Sequence, residues 1–168
     1  MNYQHLIGRT FKWRERDCYA TVRDFYRDIL NMELPDFARP TDFYLHGLDI
    51  IRENYTAAGF KEINVHPSEI KVGDVSISAI DSVFGNHCAV FVENGRILHH
   101  LQGRLSEVTP FRGLVRNTCV GLYRHPAVPD LTITLGERRD LRDFLTPSKQ
   151  KILDELRAST PRLEGKAD

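Results

Sequence analysis

Chemistry in this sequence falls to one cysteine and three histidines. From Asp17 to about residue 31 the apolar residues Cys18, Val22, Phe25 and Ile29 follow one another at spacings of four, three and four, which places them on one face of a helix. Cys18 then sits in the first turn, on the buried side. Asp17 is suited to the N-cap, where its carboxylate accepts a hydrogen bond from an otherwise unpaired first-turn amide. Those amides and the positive end of the helix dipole favour a thiolate, and lower a cysteine pKa from roughly 8.5 toward ~7 or below. The charge of Asp17 opposes that shift. A thiolate so placed needs a histidine to hold the ion pair and to protonate a leaving amine. Without one, Cys18 reads as a small, inert core residue.

The histidines are His87, His99 and His100. His87 opens a strand-like run through residue 92, Glu93-Asn94-Gly95 closes a hairpin, and residues 96–101 return. A two-residue turn at Asn94-Gly95 pairs Glu93 with Arg96 and puts His100 on the His87 face. A three-residue loop with Gly95 left-handed in a bulge pairs Val92 with Arg96 and puts His99 there instead. Both loops suit the residues, so the spacing leaves the choice open. Whichever histidine lies beside His87 can hold its second ring nitrogen and so fix its tautomer. A metal site would need acidic or cysteine ligands at short spacing, which the histidines lack, so neither metal nor cofactor is expected.

These residues need an α+β scaffold to bring them together. A short helix or arm is expected over 3–7. Phe11 and Trp13 fold down beside Cys18, where they can line a substrate groove. Two prolines within residues 34–40 make an irregular connector. A second helix is expected from about Asp42 to Gly59, with Phe43, Leu45, Leu48, Ile51 and Ile50 inward. Strands follow at 60–65, at 75–80 with Val75, Ile77 and Ala79 on one face and serines on the other, at 87–92, at 96–101 and at 118–123. Cys88 points away from His87, and Cys119 lies in a strand expected to be buried. The domain is placed at residues 1–126. An extension over 127–168 holds an edge strand at 131–135 and an amphipathic helix at 146–157, with Ile152, Leu153 and Leu156 as its stripe.

The chain has 168 residues, enough for one domain with a real core. Its 23 basic and 23 acidic side chains cancel without long runs of either sign, which argues against nucleic-acid or polybasic membrane partners. The three cysteines form no CxxC pair and no disulfide framework. No signal-peptide core and no span-length apolar stretch is present, so synthesis in the cytoplasm without membrane insertion is expected.

Three stretches carry a resemblance: Asp-Cys-Tyr-Ala-Thr-Val-Arg-Asp-Phe-Tyr from Asp17, Gly73-Asp74-Val75, and Asn-His-Cys-Ala-Val-Phe-Val-Glu-Asn-Gly-Arg-Ile-Leu-His-His-Leu-Gln-Gly-Arg-Leu-Ser from Asn86. Together they resemble the NlpC-type, papain-like cysteine peptidases, and within that family the branch found in phage tail-assembly proteins. The tyrosine after the cysteine, the paired histidines before Leu-x-Gly-Arg-Leu-Ser, and Arg124-His125 mark that branch, whereas the wider family prefers Asp-Cys-Ser-Gly. The resemblance covers about residues 4–126. It implies a papain-like α+β fold, with the nucleophile at a helix N-terminus packed on an antiparallel sheet. It also implies hydrolysis of peptide bonds in peptidoglycan stem peptides, typically beside D-glutamate. Cys18 matches the nucleophile, His87 the base and His99 the third polar member, which selects the bulged hairpin. Phe11, Trp13 and Asp17 are the candidate substrate-binding residues, although Phe11 stands where many relatives carry a tyrosine.

Two functions follow from the resemblance. One is a peptidoglycan endopeptidase borne at a phage tail tip, made in the host cytoplasm and acting at the host wall, with other tail-tip proteins as partners. The other is a structural tail-tip component with little catalysis. A papain-fold amidase or transferase is a third use of the same residues.

Overall fold

The computed structural model describes residues 1–131. Among them are three helices, α1 (Cys18–Leu30), α2 (Ile50–Ala57) and α3 (Gly113–Asn117). Six strands accompany them: β1 (Lys61–Ile63), β2 (Val75–Ser78), β3 (His87–Phe91), β4 (Arg96–His99), β5 (Glu107–Pro110) and β6 (Cys119–Arg124). The strands make one antiparallel sheet in the order β1-β6-β2-β3-β4-β5. The fold is therefore α+β, as the sequence leads one to expect, and α1 begins at Cys18 itself.

The apolar stripe of α1 explains its position. Cys18, Val22 and Phe25 are buried in one cluster with Val75, Ile77, Cys88, Val90 and Val92, so the helix lies across the strands at the centre of the sheet. Asn31 ends the helix in the left-handed conformation. The opposite sheet face holds a second, smaller core of Ala89, Phe91, Ile97 and Val115. Because both faces are covered there, Ser76 and Ser78 are buried between their apolar neighbours, and Ser78 Oγ donates to the Val115 carbonyl at 2.8 Å.

The hairpin adopts the bulged form. Ala89 pairs with His99, Phe91 with Ile97, and the Val92 amide donates to the Arg96 carbonyl at 2.8 Å. Glu93, Asn94 and Gly95 form the three-residue loop, with Asn94 and Gly95 at φ of 61° and 63°. Asn takes the left-handed region with less strain than most residues, and Gly with none.

Residues of the stretches that carry the resemblance, with Arg124 and His125, also brace this frame. Asp74, at the start of β2, accepts from the Lys71 amide and receives both Nε and Nη2 of Arg124 at 2.7 Å, tying β2 to β6. The Tyr26 hydroxyl donates to the Gly73 carbonyl, anchoring α1 to the same corner. His125 packs edge-on against Phe60 and bonds the Ala58 carbonyl.

Several expectations need correction. The single helix over 42–59 is broken: Phe43–His46 forms a 3₁₀ turn entered through a left-handed Asp42, and the left-handed Gly47 that ends it stops it from continuing into α2. Phe43 and Ile51 are buried as expected, but Leu45 and Leu48 face outward at 69% and 45% exposure. Strand β5 and helix α3 went unforeseen, since a Val-Thr pair stopped by Pro110 is too brief to declare a strand by alternation. Cys119 begins β6 half-exposed rather than buried. The expected helix at 146–157, and all but the first residue of the expected edge strand, lie outside the described residues. No helix among those described is long and apolar enough to cross a membrane.

Gly85 shows how tightly the approach to β3 is fitted. A Cβ there would fall 2.3 Å from Cγ2 of the fully buried Ile77. Gly85→Ala should cost about 1–3 kcal/mol in denaturant unfolding, the range for overpacking a core. A stability equal to the wild type would show that Ile77 can move aside.

Candidate active site

Cys18 owes its position to the residue before it. Asp17 is 1% exposed, and its Oδ1 accepts from the Ala20 amide at 2.8 Å, the N-cap bond that starts α1. Its Oδ2 accepts from the Arg14 amide and from Arg39 Nε, both at 2.9 Å. Arg39, 2% exposed, is held in turn by Asp36 and by the carbonyls of Phe37 and Arg14, with its guanidinium over the rings of Tyr19 and Phe37. Asp17, expected to touch substrate, is thus fully engaged beneath the nucleophile and is absent from the cavity lining.

The Cys18 thiol is pulled well below its usual range, to about 5. Hydrogen bonding with the neighbouring Cys88 thiol lowers it most, and contact with His87 lowers it further. Burial and the Asp17 charge act in the opposite direction. A sulfur that favours its ionised form is the nucleophilic form of cysteine.

The histidines meet as diagonal neighbours across the hairpin. His99 Nδ1 lies 3.3 Å from His87 Nε2, and His99 Nε2 lies 3.1 Å from Thr109 Oγ1 on β5. Burial, then the charges of His87, His100 and Arg104, push the His99 pKa down to about 4, so this ring stays neutral at neutral pH. A neutral His99 that carries its proton on Nε2, donated to Thr109, presents a lone pair from Nδ1 to His87. That lone pair accepts the Nε2–H of His87 and leaves the other ring nitrogen of His87 for the sulfur. His100 faces differently: its Nε2 donates to the Arg104 carbonyl, and its ring packs edge-on against Phe11.

A cavity of about 250 Å³ opens over the sulfur, lined among others by Phe11, Trp13, Cys18, Tyr44, Asn86 and His87. Phe11 and Trp13 therefore stand beside Cys18, where the sequence placed them. Trp13 is fixed by its indole N–H on the Arg39 carbonyl, and Asn86 by a two-way amide bond to the backbone of Ile80. Among the described residues, no group of three or more His, Cys, Asp or Glu side chains is arranged to hold a metal ion.

Thr109, Arg39 and Tyr44 escaped notice in the sequence. Thr109 depended on an unforeseen strand. Arg39 is a lone cation in a proline-containing connector, and only the fold reveals that it is buried against Asp17.

The sequence profile of the NlpC/P60 family matches residues 8–124. The chain is 32% identical over 123 residues to the tail tip assembly protein K of Escherichia phage lambda, a match covering 73% of this chain and 60% of that protein. It is 26% identical over 132 residues to the tail tip assembly protein K of Escherichia phage N15, covering 73% of this chain and half of that protein. The crystal structure of the NlpC/p60 domain of the peptidoglycan hydrolase SagA superposes with a TM-score of 0.46 at 18% identity, over 72% of this chain and 91% of that one.

Two pH measurements test the site. Limiting iodoacetamide at pH 6–7 should label Cys18 almost alone, because burial raises the Cys88 and Cys119 thiols, and the rate should fall as pH drops through about 5. Equal labelling of the three would remove the activated sulfur. For His99 the folded pKa, about 4, is below the 6.5 of a free histidine. The unfolded chain takes up this proton first on acidification, so the stability contribution is full above about 6.5 and is lost progressively toward 4. Denaturant midpoints followed over that window should fall in the wild type and fall less in His99→Gln.

Proposed function

The chain belongs to the NlpC/P60 family, and on that footing we propose that it is a cysteine peptidase cleaving peptide bonds in the stem peptides of peptidoglycan. The observation that carries this reading is the arrangement of Cys18, His87 and His99: a cysteine at a helix N-terminus and a histidine that line one cavity together, with a second, neutral histidine 3.3 Å behind the first. The substrate class follows from the family resemblance. Phe11 and Trp13 supply apolar walls for the peptide.

In the mechanism, the Cys18 sulfur attacks the scissile carbonyl carbon, and the carbonyl oxygen takes up negative charge. The Cys18 backbone amide, at the start of the helix, is placed to stabilise that oxyanion. His87 passes its proton to the departing amine as the tetrahedral intermediate collapses to a thioester. Water, deprotonated by His87, then attacks the thioester and releases the acid and the sulfur. His99 keeps the His87 ring in position through both proton transfers, and Thr109 keeps the His99 tautomer. Asp17 and Arg39 act from beneath, by holding the helix start where the sulfur must be.

The name of the curated relatives supports a place in a phage tail tip, with other tail-tip proteins as partners and an assembly role beside hydrolysis. In that setting the domain is made in the host cytoplasm and works at the host wall. The chain spans about half to 60% of the length of those relatives.

Purified peptidoglycan digested with the protein and resolved by mass should yield stem peptides with a new amine and a new carboxylate, and none with Cys18→Ala. His87→Ala should abolish turnover. His99→Ala should lower it by roughly one to four orders of magnitude with the fold retained, and His100→Ala by far less. Fragment release by Cys18→Ala at the wild-type rate would refute the proposal. Intact peptidoglycan after wild-type treatment would favour the purely structural role.

A further inference from the structure

The buried ion pair beneath the nucleophile also holds the backbone of Arg14. The Arg14 amide donates to Asp17 Oδ2 at 2.9 Å, and its carbonyl accepts from Arg39 Nη2 at 3.0 Å. Between these two bonds the residue takes a φ of 70°, the left-handed region in which side chains other than Asn and Asp are uncommon. Glycine would make the same two bonds without strain. An arginine kept at such a position points to a use for its side chain.

That side chain is exposed and lines a second cavity, of about 670 Å³, bounded also by Trp13, Phe37 and Arg39. Trp13 lines both this cavity and the one over the Cys18 sulfur, so the two adjoin at its ring. Of the other charged side chains in the lining, Glu15 pairs with Lys12, Asp36 with Arg23 and Arg39, and Arg39 with Asp17. The Arg14 guanidinium has neither an ion pair nor a hydrogen bond among the described residues. The lining over the sulfur includes neither lysine nor arginine, so an anionic group on a peptide bound there finds its cation across Trp13.

We propose that Arg14 is a specificity-determining residue that binds a free carboxylate of the peptide held over Cys18. The inference deepens the peptidase reading and rests on it, since it assigns the substrate an acidic group on the Trp13 side of the scissile bond. A guanidinium suits the task because its fork of donors matches the two oxygens of a carboxylate. The Arg14 amide and carbonyl are already fixed by buried groups, so only the side chain has to be ordered when the peptide arrives.

The test reads binding apart from hydrolysis. Trp13 is the single tryptophan of the chain and lines both cavities, so its fluorescence reports on either. Cys18→Ala protein is titrated with a synthetic stem peptide carrying free carboxylates, and with the same peptide bearing carboxamides in their place. The free acid should bind about tenfold tighter, the low end for a hydrogen bond to a charged group, and added salt should shrink that ratio. Adding Arg14→Gln or Arg14→Gly to this protein should abolish the preference, whereas Arg14→Lys, which keeps the charge without the fork, should retain part of it. Arg14→Gly should leave the urea midpoint at or above that of its parent, because it removes the left-handed strain. Equal affinity of the parent for the two peptides, or a preference that survives Arg14→Gln, would overturn this proposal alone. A preference lost together with a lowered urea midpoint would make Arg14 a structural residue and overturn the assignment as well. If the preference is lost in Arg14→Gln but the wild type cleaves neither peptide, the contact stands and only the peptidase reading falls. Binding of neither peptide, with no cleavage by the wild type, would overturn both.

Discussion

The structure turns on one buried carboxylate. Asp17 starts α1 through the Ala20 amide, holds the Arg14 backbone in its left-handed turn, and neutralises Arg39 in a place almost without solvent. An unpaired charge in such a place is untenable, and removing one partner of a buried pair costs about 3–5 kcal/mol. The pair therefore determines more than its own geometry. It draws the connector over 34–40 against the helix, fixes the Arg39 carbonyl that holds Trp13, and sets the height of Cys18 above the sheet. The aromatic walls and the sulfur are consequences of the same ion pair.

Electrostatics around the sulfur are a contest rather than a sum of favourable contacts. Burial and the Asp17 charge both favour the neutral thiol, yet the influence of Cys88 and His87 on β3 outweighs them. The same burial that penalises the thiolate keeps His99 neutral, which is what a ring accepting from His87 must be. The same site thus holds an ionised sulfur and a neutral ring.

Much of the plan was legible in the sequence because it rests on local rules. The helix start at Cys18 follows from a cap residue and a four-three-four apolar spacing, and the core strands from alternation. What spacing left open was the partner of His87, since a one-residue change in loop length exchanges His99 for His100. The resemblance selected His99, and the Ala89–His99 pairing agrees with it. Other features depended on tertiary context. Leu45 and Leu48 look like core residues by composition, but the left-handed Gly47 turns the chain before their face can be buried. Thr109 and Arg39 gain their roles only from what the fold places next to them. Asp17, a candidate for substrate contact, instead spends its carboxylate on the Ala20 and Arg14 amides and on Arg39.

The most direct measurement of the central claim is carbon NMR of a stem-peptide analogue in which a ¹³C-labelled aldehyde replaces the scissile carbonyl. A nucleophilic Cys18 adds to that carbon, and His87 stabilises the adduct. The wild type should therefore convert the aldehyde signal to that of a hemithioacetal, and Cys18→Ala should leave only aldehyde and hydrate. A wild-type spectrum without the adduct, or the same adduct in Cys18→Ala, would contradict the account.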